Sequence, residues 1–279
     1  MAMVSADPSR SGRAGRDLPV AVAVGVGLAA LALGTLYTVR EFFVALVILA
    51  LGVAAYELCT ALRGQGIHVP MVPLVAGGTI MLITAYADGP DALAVAFGLT
   101  IVAVAASRLA MPWAEELFRD LSACVYVVVY LPLLAAFAMV MLSETDGPDR
   151  LVVFILAVVL SDTGGYAAGV LFGRHKLAPR VSPAKTWEGF AGSMLFATLG
   201  SALSVPLLLD GEWWQGVVVG AVAVVTATLG DLGESLLKRD LGIKDMGHLL
   251  PEHGGVMDRL DSLLPTAPVV AVLLAVTVG

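Results

Sequence analysis

A chain of 279 residues that is 58% apolar and 14% charged, with a mean hydropathy of +0.90, carries more aliphatic surface than a soluble core can bury. This excludes a soluble globular enzyme and predicts an all-α, polytopic integral membrane helical bundle, because helices satisfy their backbone groups inside lipid and open sheets do not. The net charge of −7 would disfavour phosphate ligands if it were spread evenly, so its distribution along the chain matters; no nucleic-acid partner is expected.

Residues 1–17, rich in Ser, Gly, Arg and Pro, predict a disordered cytoplasmic arm. A single integral-membrane domain then runs over 18–279. Each crossing needs roughly 20 apolar residues, and about nine stretches supply them: 18–39, 41–62, 71–87, 91–110, 121–142, 151–172, 187–209, 214–234 and 263–279. The first run is too long for a cleaved signal peptide and continues into a second helix. Gly25 and Gly27 lie inside it as packing positions, not as a dinucleotide turn. Cys59 and Cys124 sit in apolar spans without CxxC or zinc spacing and read as small buried hydrophobes.

With the amino terminus in the cytoplasm, 14 of the 16 Lys and Arg residues fall on the inner side, leaving Arg40 and Arg150 outside. The outer loops hold Glu41, Asp88, Asp91, Glu144, Asp146, Asp149, Asp210 and Glu212. The acidity therefore belongs to the far face, and the cytoplasmic face is rich in cations suited to anionic lipids and nucleotides. Residues 18–150 have almost no polar groups inside the spans and read mainly as scaffold; 151–279 read as the catalytic half.

The sixth span carries Ser161, Asp162 and Thr163 about halfway along its length. An aspartate at that depth costs about 2.5–3.5 kcal/mol on insertion scales, so it should face a partner, an ion or water. Ser161 or Asp162 could also cap a broken helix whose second half starts at Thr163. Gly165, Gly169 and Gly173, and in the eighth span Gly216 and Gly220, recur at steps of four and predict close helix contacts. The loop that follows holds Arg174, Lys176, Arg180 and Lys185 with the hydroxyls of Ser182 and Thr186. With a helix starting near Pro183, it offers donors and a positive dipole end to a phosphate.

The densest polar segment is Asp231 to Asp261, with 11 charged residues in 31 positions. Asp231 and Glu234, and again Asp258 and Asp261, are three apart and can share a helix face. Carboxylates without cysteine neighbours favour a hard cation such as Mg2+, bound through few carboxylates with room left for substrate phosphates. Lys238, Arg239, Lys244 and Arg259 lie between the acids, the mixture a metal–triphosphate site requires. His253, Gly254 and Gly255 add a turn whose backbone N–H groups can face an anion. His248 reads as structural, and with His253 it does not make the HExxH zinc pattern.

Ser235, Lys238, Arg239, Lys244 and Asp245, followed by His253, Gly254, Gly255, Asp258, Arg259 and Asp261, resemble the signature of the phosphatidate cytidylyltransferases, also called CDP-diacylglycerol synthases. Ser161, Asp162 and Thr163, and Ser182, Pro183 and Lys185 to Gly189, resemble two further stretches of that family. Ala184 departs from it where many members have a second lysine, and Glu252 where glycine is frequent. The resemblance implies attack by the phosphate of phosphatidic acid on the α-phosphorus of CTP, giving CDP-diacylglycerol and pyrophosphate. The lipid phosphate is already anionic, so the protein needs to screen repulsion and stabilise charge, not to supply a strong base.

On this reading Asp231, Asp258 and Asp261 hold Mg2+, with Asp162 a further candidate for that metal or a second cation. Lys238, Arg239, Lys244 and Arg259 neutralise the nucleotide and leaving group, while Ser182, Lys185 and Thr186 contact a phosphate. The expected partners are CTP, phosphatidic acid and membrane lipids, with a homodimer left open. The active site is expected on the cytoplasmic side of the plasma membrane. A CTP-dependent lipid kinase is the neighbouring alternative, and an ion-coupled transporter, argued from Asp162 in a broken helix, is the alternative of a different class. The GxxxxGKS/T phosphate loop of ordinary ATPases is absent.

Overall fold

Seven helical segments among the described residues are long and apolar enough to cross a membrane: 40–64, 89–109, 117–143, 147–172, 187–209, 213–240 and 257–277. The computed structural model describes residues 18–111, 116–247 and 254–278; the predicted arm, His248, Glu252 and His253 lie outside them. In chain order the helices are α1 (Leu18–Thr38), α2 (Arg40–Gly64), α3 (Met71–Ala87), α4 (Gly89–Leu109), α5 (Leu117–Val128), α6 (Leu134–Ser143), α7 (Gly147–Phe172), α8 (Trp187–Leu209), α9 (Trp213–Asp240), α10 (Met257–Leu260) and α11 (Leu263–Thr277). The molecule is an all-α membrane bundle. Helices α1 and the 17-residue α3 occupy the two remaining predicted spans.

Local chemistry explains several boundaries. Pro90 and Pro148 stand in the first turns of α4 and α7, where a missing N–H costs nothing. Pro132 inside the fifth span lacks the N–H that an α-helix needs, and the chain takes a π-helical turn over Val129–Leu133 between α5 and α6.

Two sequence expectations need correction. Helix α7 runs unbroken through Asp162, so neither Ser161 nor Asp162 caps a second half. The segment after it does not start a helix near Pro183. Lys176–Ala178 (β1) and Ser182–Thr186 (β2) pair as an antiparallel hairpin, with Ala178 opposite Ser182 and Lys176 opposite Thr186. The helix begins only at Trp187, where the Thr186 hydroxyl accepts the Gly189 N–H at 3.1 Å. Glu188 closes the base of the hairpin by accepting the N–H groups of Arg174 and His175, each at 3.1 Å.

The glycine strips do what their spacing predicts. A Cβ at Gly165 would collide with the Ser193 hydroxyl, and one at Gly220 would lie 2.6 Å from the Ala197 carbonyl oxygen. Gly164 and Gly192 extend the α7–α8 contact: a Cβ on Gly192 would stand 2.6 Å from the Gly164 carbonyl oxygen. Backbones this close fix the relative positions of α7, α8 and α9, on which the polar residues of the second half ride.

The loops sort to two ends. At one, Gln65 Nε2 donates to the Leu241 carbonyl at 2.9 Å, the His68 N–H to Asp120 Oδ1 at 3.1 Å, and Arg239 Nε to the Val181 carbonyl at 2.5 Å. At the other, Arg40 Nη1 and Nη2 each donate at 2.9 Å, to the carbonyls of Glu144 and Thr145 respectively, and the Tyr37 hydroxyl donates to Asp149 Oδ1 at 2.6 Å.

The first half is also not free of internal charge. Arg108 and Asp120, 1% and 2% exposed, pair through Nε at 2.7 Å and Nη2 at 2.5 Å from the same Oδ2. Removing one partner of a buried pair typically costs about 3–5 kcal/mol, whereas replacing both with apolar groups is often neutral. Asp120→Ala is therefore expected to lower the thermal unfolding midpoint sharply, and Arg108→Leu/Asp120→Leu to recover most of it. A single variant as stable as the parent would contradict this.

Candidate active site

Helix α9 continues six residues past the end expected at 234. Its last turn carries Lys238 and Arg239, which suit the negative end of the helix dipole. Asp231, Glu234 and Lys238 follow at steps of three and four and so share one face. Gly230 lets this face approach the chain beyond α10: a Cβ there would collide with the Asp261 carbonyl and stand 2.8 Å from Pro265 Cγ. Asp231 and Asp261, 30 residues apart in sequence, become electrostatic neighbours.

The result is a cavity of about 570 Å³ between α7, the hairpin, α8, α9 and α10. Asp162, Asp231, Asp258 and Asp261 line it together with Lys185, Lys238 and Arg259. Thr186 lines it too, though its hydroxyl caps α8. Another part of the wall is apolar, formed by Val170, Leu177 and Phe190 with the ring of Tyr166. One space thus offers charged groups and an oily wall, which suits a ligand with an ionic head and an apolar body.

Acids and bases are already paired inside it. Lys185 Nζ lies 2.7 Å from Asp231 Oδ2, tying the hairpin to α9. Lys238 Nζ lies 2.8 Å from Asp258 Oδ1, and Asp258 Oδ2 accepts the N–H groups of Met246 and Gly255, each at 3.0 Å. Asp261 Oδ1 accepts the Ser262 N–H at 2.7 Å. Glu234 is fully buried; Lys238 Nζ is 3.4 Å from Oε1, yet neither of its carboxylate oxygens accepts a hydrogen bond.

Other predicted residues stand elsewhere. Arg239 does not line the cavity and holds the hairpin through the Val181 carbonyl. Ser182 lies in β2, Lys244 is exposed beyond α9, and neither lines the cavity. Gly254 has φ +79°, a left-handed conformation natural to glycine, and the Gly255 N–H is directed at Asp258.

No three His, Cys, Asp or Glu side chains among the described residues are grouped closely enough to cage a metal ion. Asp162, Asp231 and Asp261 nevertheless lie within electrostatic range of one another. An all-oxygen set of this kind fits a hard cation that protein carboxylates hold only in part and phosphate oxygens complete.

Residues 19–277 match the cytidylyltransferase family model. The chain belongs to the cytidylyltransferase family. It is 44% identical over 274 residues to the phosphatidate cytidylyltransferase of Mycobacterium leprae, covering 92% of this chain and 87% of that protein. The phosphatidate cytidylyltransferase of Mycobacterium bovis is 38% identical over 271 residues, covering 93% and 89%. That of Staphylococcus haemolyticus matches at 36% over 163 residues, 56% of this chain and 60% of its own.

Two cytidylyltransferase residues at or near this cavity have no role assigned by their position in the sequence. Asp245 lines it, although the sequence points only to its neighbour Lys244 as a ligand-binding residue. Glu57 in α2 is 5% exposed and reaches the Met257 N–H at 2.9 Å. A lone carboxylate in an apolar span is the available signal for Glu57.

Gly230→Val would wedge α9 away from Asp261. Overpacking typically costs about 1–3 kcal/mol, and the larger consequence is a loss of turnover of about tenfold or more from misplaced carboxylates. Steady-state rates of the membrane-inserted variant check this; unchanged kcat would show that the close approach does not matter.

Proposed function

We propose that this chain transfers the cytidylyl group of CTP to phosphatidate, giving CDP-diacylglycerol and pyrophosphate. The observation that carries the reading is the half-apolar cavity in which carboxylates from α7, α9 and α10 face Lys185, Lys238 and Arg259. Membership of the cytidylyltransferase family and the names of its mycobacterial relatives support the same reaction.

In the proposed complex Asp231, Asp258 and Asp261 would hold Mg2+, with Asp162 in the same cavity as a further candidate. Bound there, Mg2+ would offset the negative charge of the triphosphate and make pyrophosphate a better leaving group. Lys185 and Lys238 exchange a carboxylate partner for phosphate oxygens, so each base is delivered to the substrate from a preformed ion pair. Arg259 adds a fixed cation at the cavity wall. No side chain has to remove a proton from the nucleophile, because the lipid phosphate is already an anion, and the site's task is orientation and charge screening.

The end of the bundle that gathers Arg63, Arg108, Arg119, Arg174 and Lys238 is assigned to the cytoplasm on the positive-inside rule, in the plasma membrane. CTP would arrive from water and phosphatidate laterally from the inner leaflet, its chains against Tyr166, Val170 and Phe190.

The protein in nanodiscs containing phosphatidate is the material for the test. Chelation should reduce CDP-diacylglycerol formation to background and added Mg2+ should restore it. A full rate in excess chelator would overturn the metal assignment.

A further inference from the structure

Glu57 belongs to α2, in the half of the chain that reads from sequence as scaffold, yet its carboxylate is built into the catalytic half. Oε2 accepts the N–H of Met257, the first residue of α10. Oε1 is buried and accepts no hydrogen bond. Two glycines close over this carboxylate. A Cβ on Gly247 would collide with Oε1, and a Cβ on Gly255 would lie 2.7 Å from Oε2 and 2.9 Å from Asp258 Oδ2. Gly255 is therefore pressed between two carboxylates, one from α2 and one from α10.

These contacts bear on both ends of the segment that joins α9 to α10. Gly247 follows Met246, whose N–H donates to Asp258 Oδ2, and the Gly255 N–H donates to the same oxygen. Asp258 Oδ1 in turn holds Lys238 Nζ. A continuous chain of contacts thus runs from Glu57 through the two segment ends to Asp258 and Lys238. The glycines at 247 and 255 are the residues that let the backbone come this near.

We infer that Glu57 is a positioning residue for the reaction: it anchors both ends of the α9–α10 connection so that Asp258 and Lys238 are held at the cavity. This rests on the proposed role of the Asp258–Lys238 pair. Glu57 touches neither the cavity nor a substrate and acts only through that pair.

The test uses the full chain in nanodiscs and measures kcat and KM for CTP and phosphatidate. It compares the parent with Glu57→Ala, Glu57→Gln, Gly247→Ala and Glu57→Ala/Gly247→Ala. Glu57→Ala is expected to lower kcat by about tenfold or more while KM for phosphatidate stays within about twofold, because misplacement of about 1 Å is costly to turnover. Glu57→Gln keeps an oxygen for the Met257 N–H and should recover most of the turnover. The double variant should be no slower than the slower single one, since both changes disturb one contact.

Parental kcat in Glu57→Ala, a glutamine variant as slow as the alanine one, or losses that multiply in the double variant would each overturn the inference. If Glu57→Ala does not fold, Gly247→Ala carries the test, because it removes no side chain and disturbs the contact from the loop side; parental kcat there overturns the inference. A parent that makes no CDP-diacylglycerol, or an Asp258→Asn variant with parental kcat, would overturn the underlying reading and this inference with it. An active parent, an impaired Asp258→Asn and an unaffected Glu57→Ala would overturn this inference alone.

Discussion

Asp258→Asn is expected to lower kcat for CDP-diacylglycerol formation by about a hundredfold or more, the order of loss seen when a preorganised charge is removed from a site. The geometry leaves no tolerable place for the amide. Oδ1 faces the Lys238 ammonium at 2.8 Å and Oδ2 faces two backbone N–H groups at 3.0 Å each. Whichever position the new NH2 takes, it opposes donors with donors. Lys238 then loses its nearer carboxylate and is left with Glu234, 3.4 Å away and fully buried, and the more distant charge of Asp261. Near-parental turnover in saturating Mg2+ would show that Asp258 neither binds the metal nor orients Lys238.

Asp231 and Lys185 should separate the metal role from the phosphate role, although they form one ion pair at 2.7 Å. Asp231→Asn removes a proposed metal ligand, so it should cut turnover by about a hundredfold and raise the Mg2+ concentration needed for half-maximal rate. Lys185→Ala removes a cation instead. It leaves Asp231 without its nearby ammonium, which favours cation binding there, so the Mg2+ requirement should not rise while turnover falls and KM for a phosphate substrate increases. A Mg2+ titration at fixed CTP and phosphatidate checks both. The same upward shift in Mg2+ requirement for both variants would mean that the pair acts only as a structural clamp.

Much of this arrangement is legible in the amino-acid sequence. Apolar runs locate the helices, and the density of charge between Asp231 and Asp261 marks the segment that supplies most of the cavity. Gly216 and Gly220 announce the α8–α9 contact because small residues at steps of four have one common use in membrane helices.

What escapes does so for physical reasons. Ser182 to Thr186 resembles a helix start because Pro183 and the hydroxyls suit one, but pairing with Lys176–Ala178 satisfies the backbone first. Apolar residues alone would end α9 at 234, whereas hydrogen bonding and a cationic last turn carry the helix on to Asp240. Asp162 suggests a broken helix, yet α7 continues through it and leaves its carboxylate facing the cavity. This removes the feature that favoured a transporter.

Arg239 and Lys244 show a further limit. Charge density marks a region and not a direction, and these two side chains stand outside the cavity that Lys238 lines. Glu57 shows the converse: hydropathy averages hide a single acid in an apolar span, and only the fold reveals that Gly247, Gly255 and Met257 close around it.

The most direct test of the account follows two labels at once in the purified chain with Mg2+ and phosphatidate. With CTP labelled at the α-phosphate, label should enter the lipid fraction as CDP-diacylglycerol, and with γ-labelled CTP it should leave as pyrophosphate, both lost in Asp231→Asn. γ-label in the lipid with α-label left in water as CDP would contradict cytidylyl transfer and favour a lipid kinase.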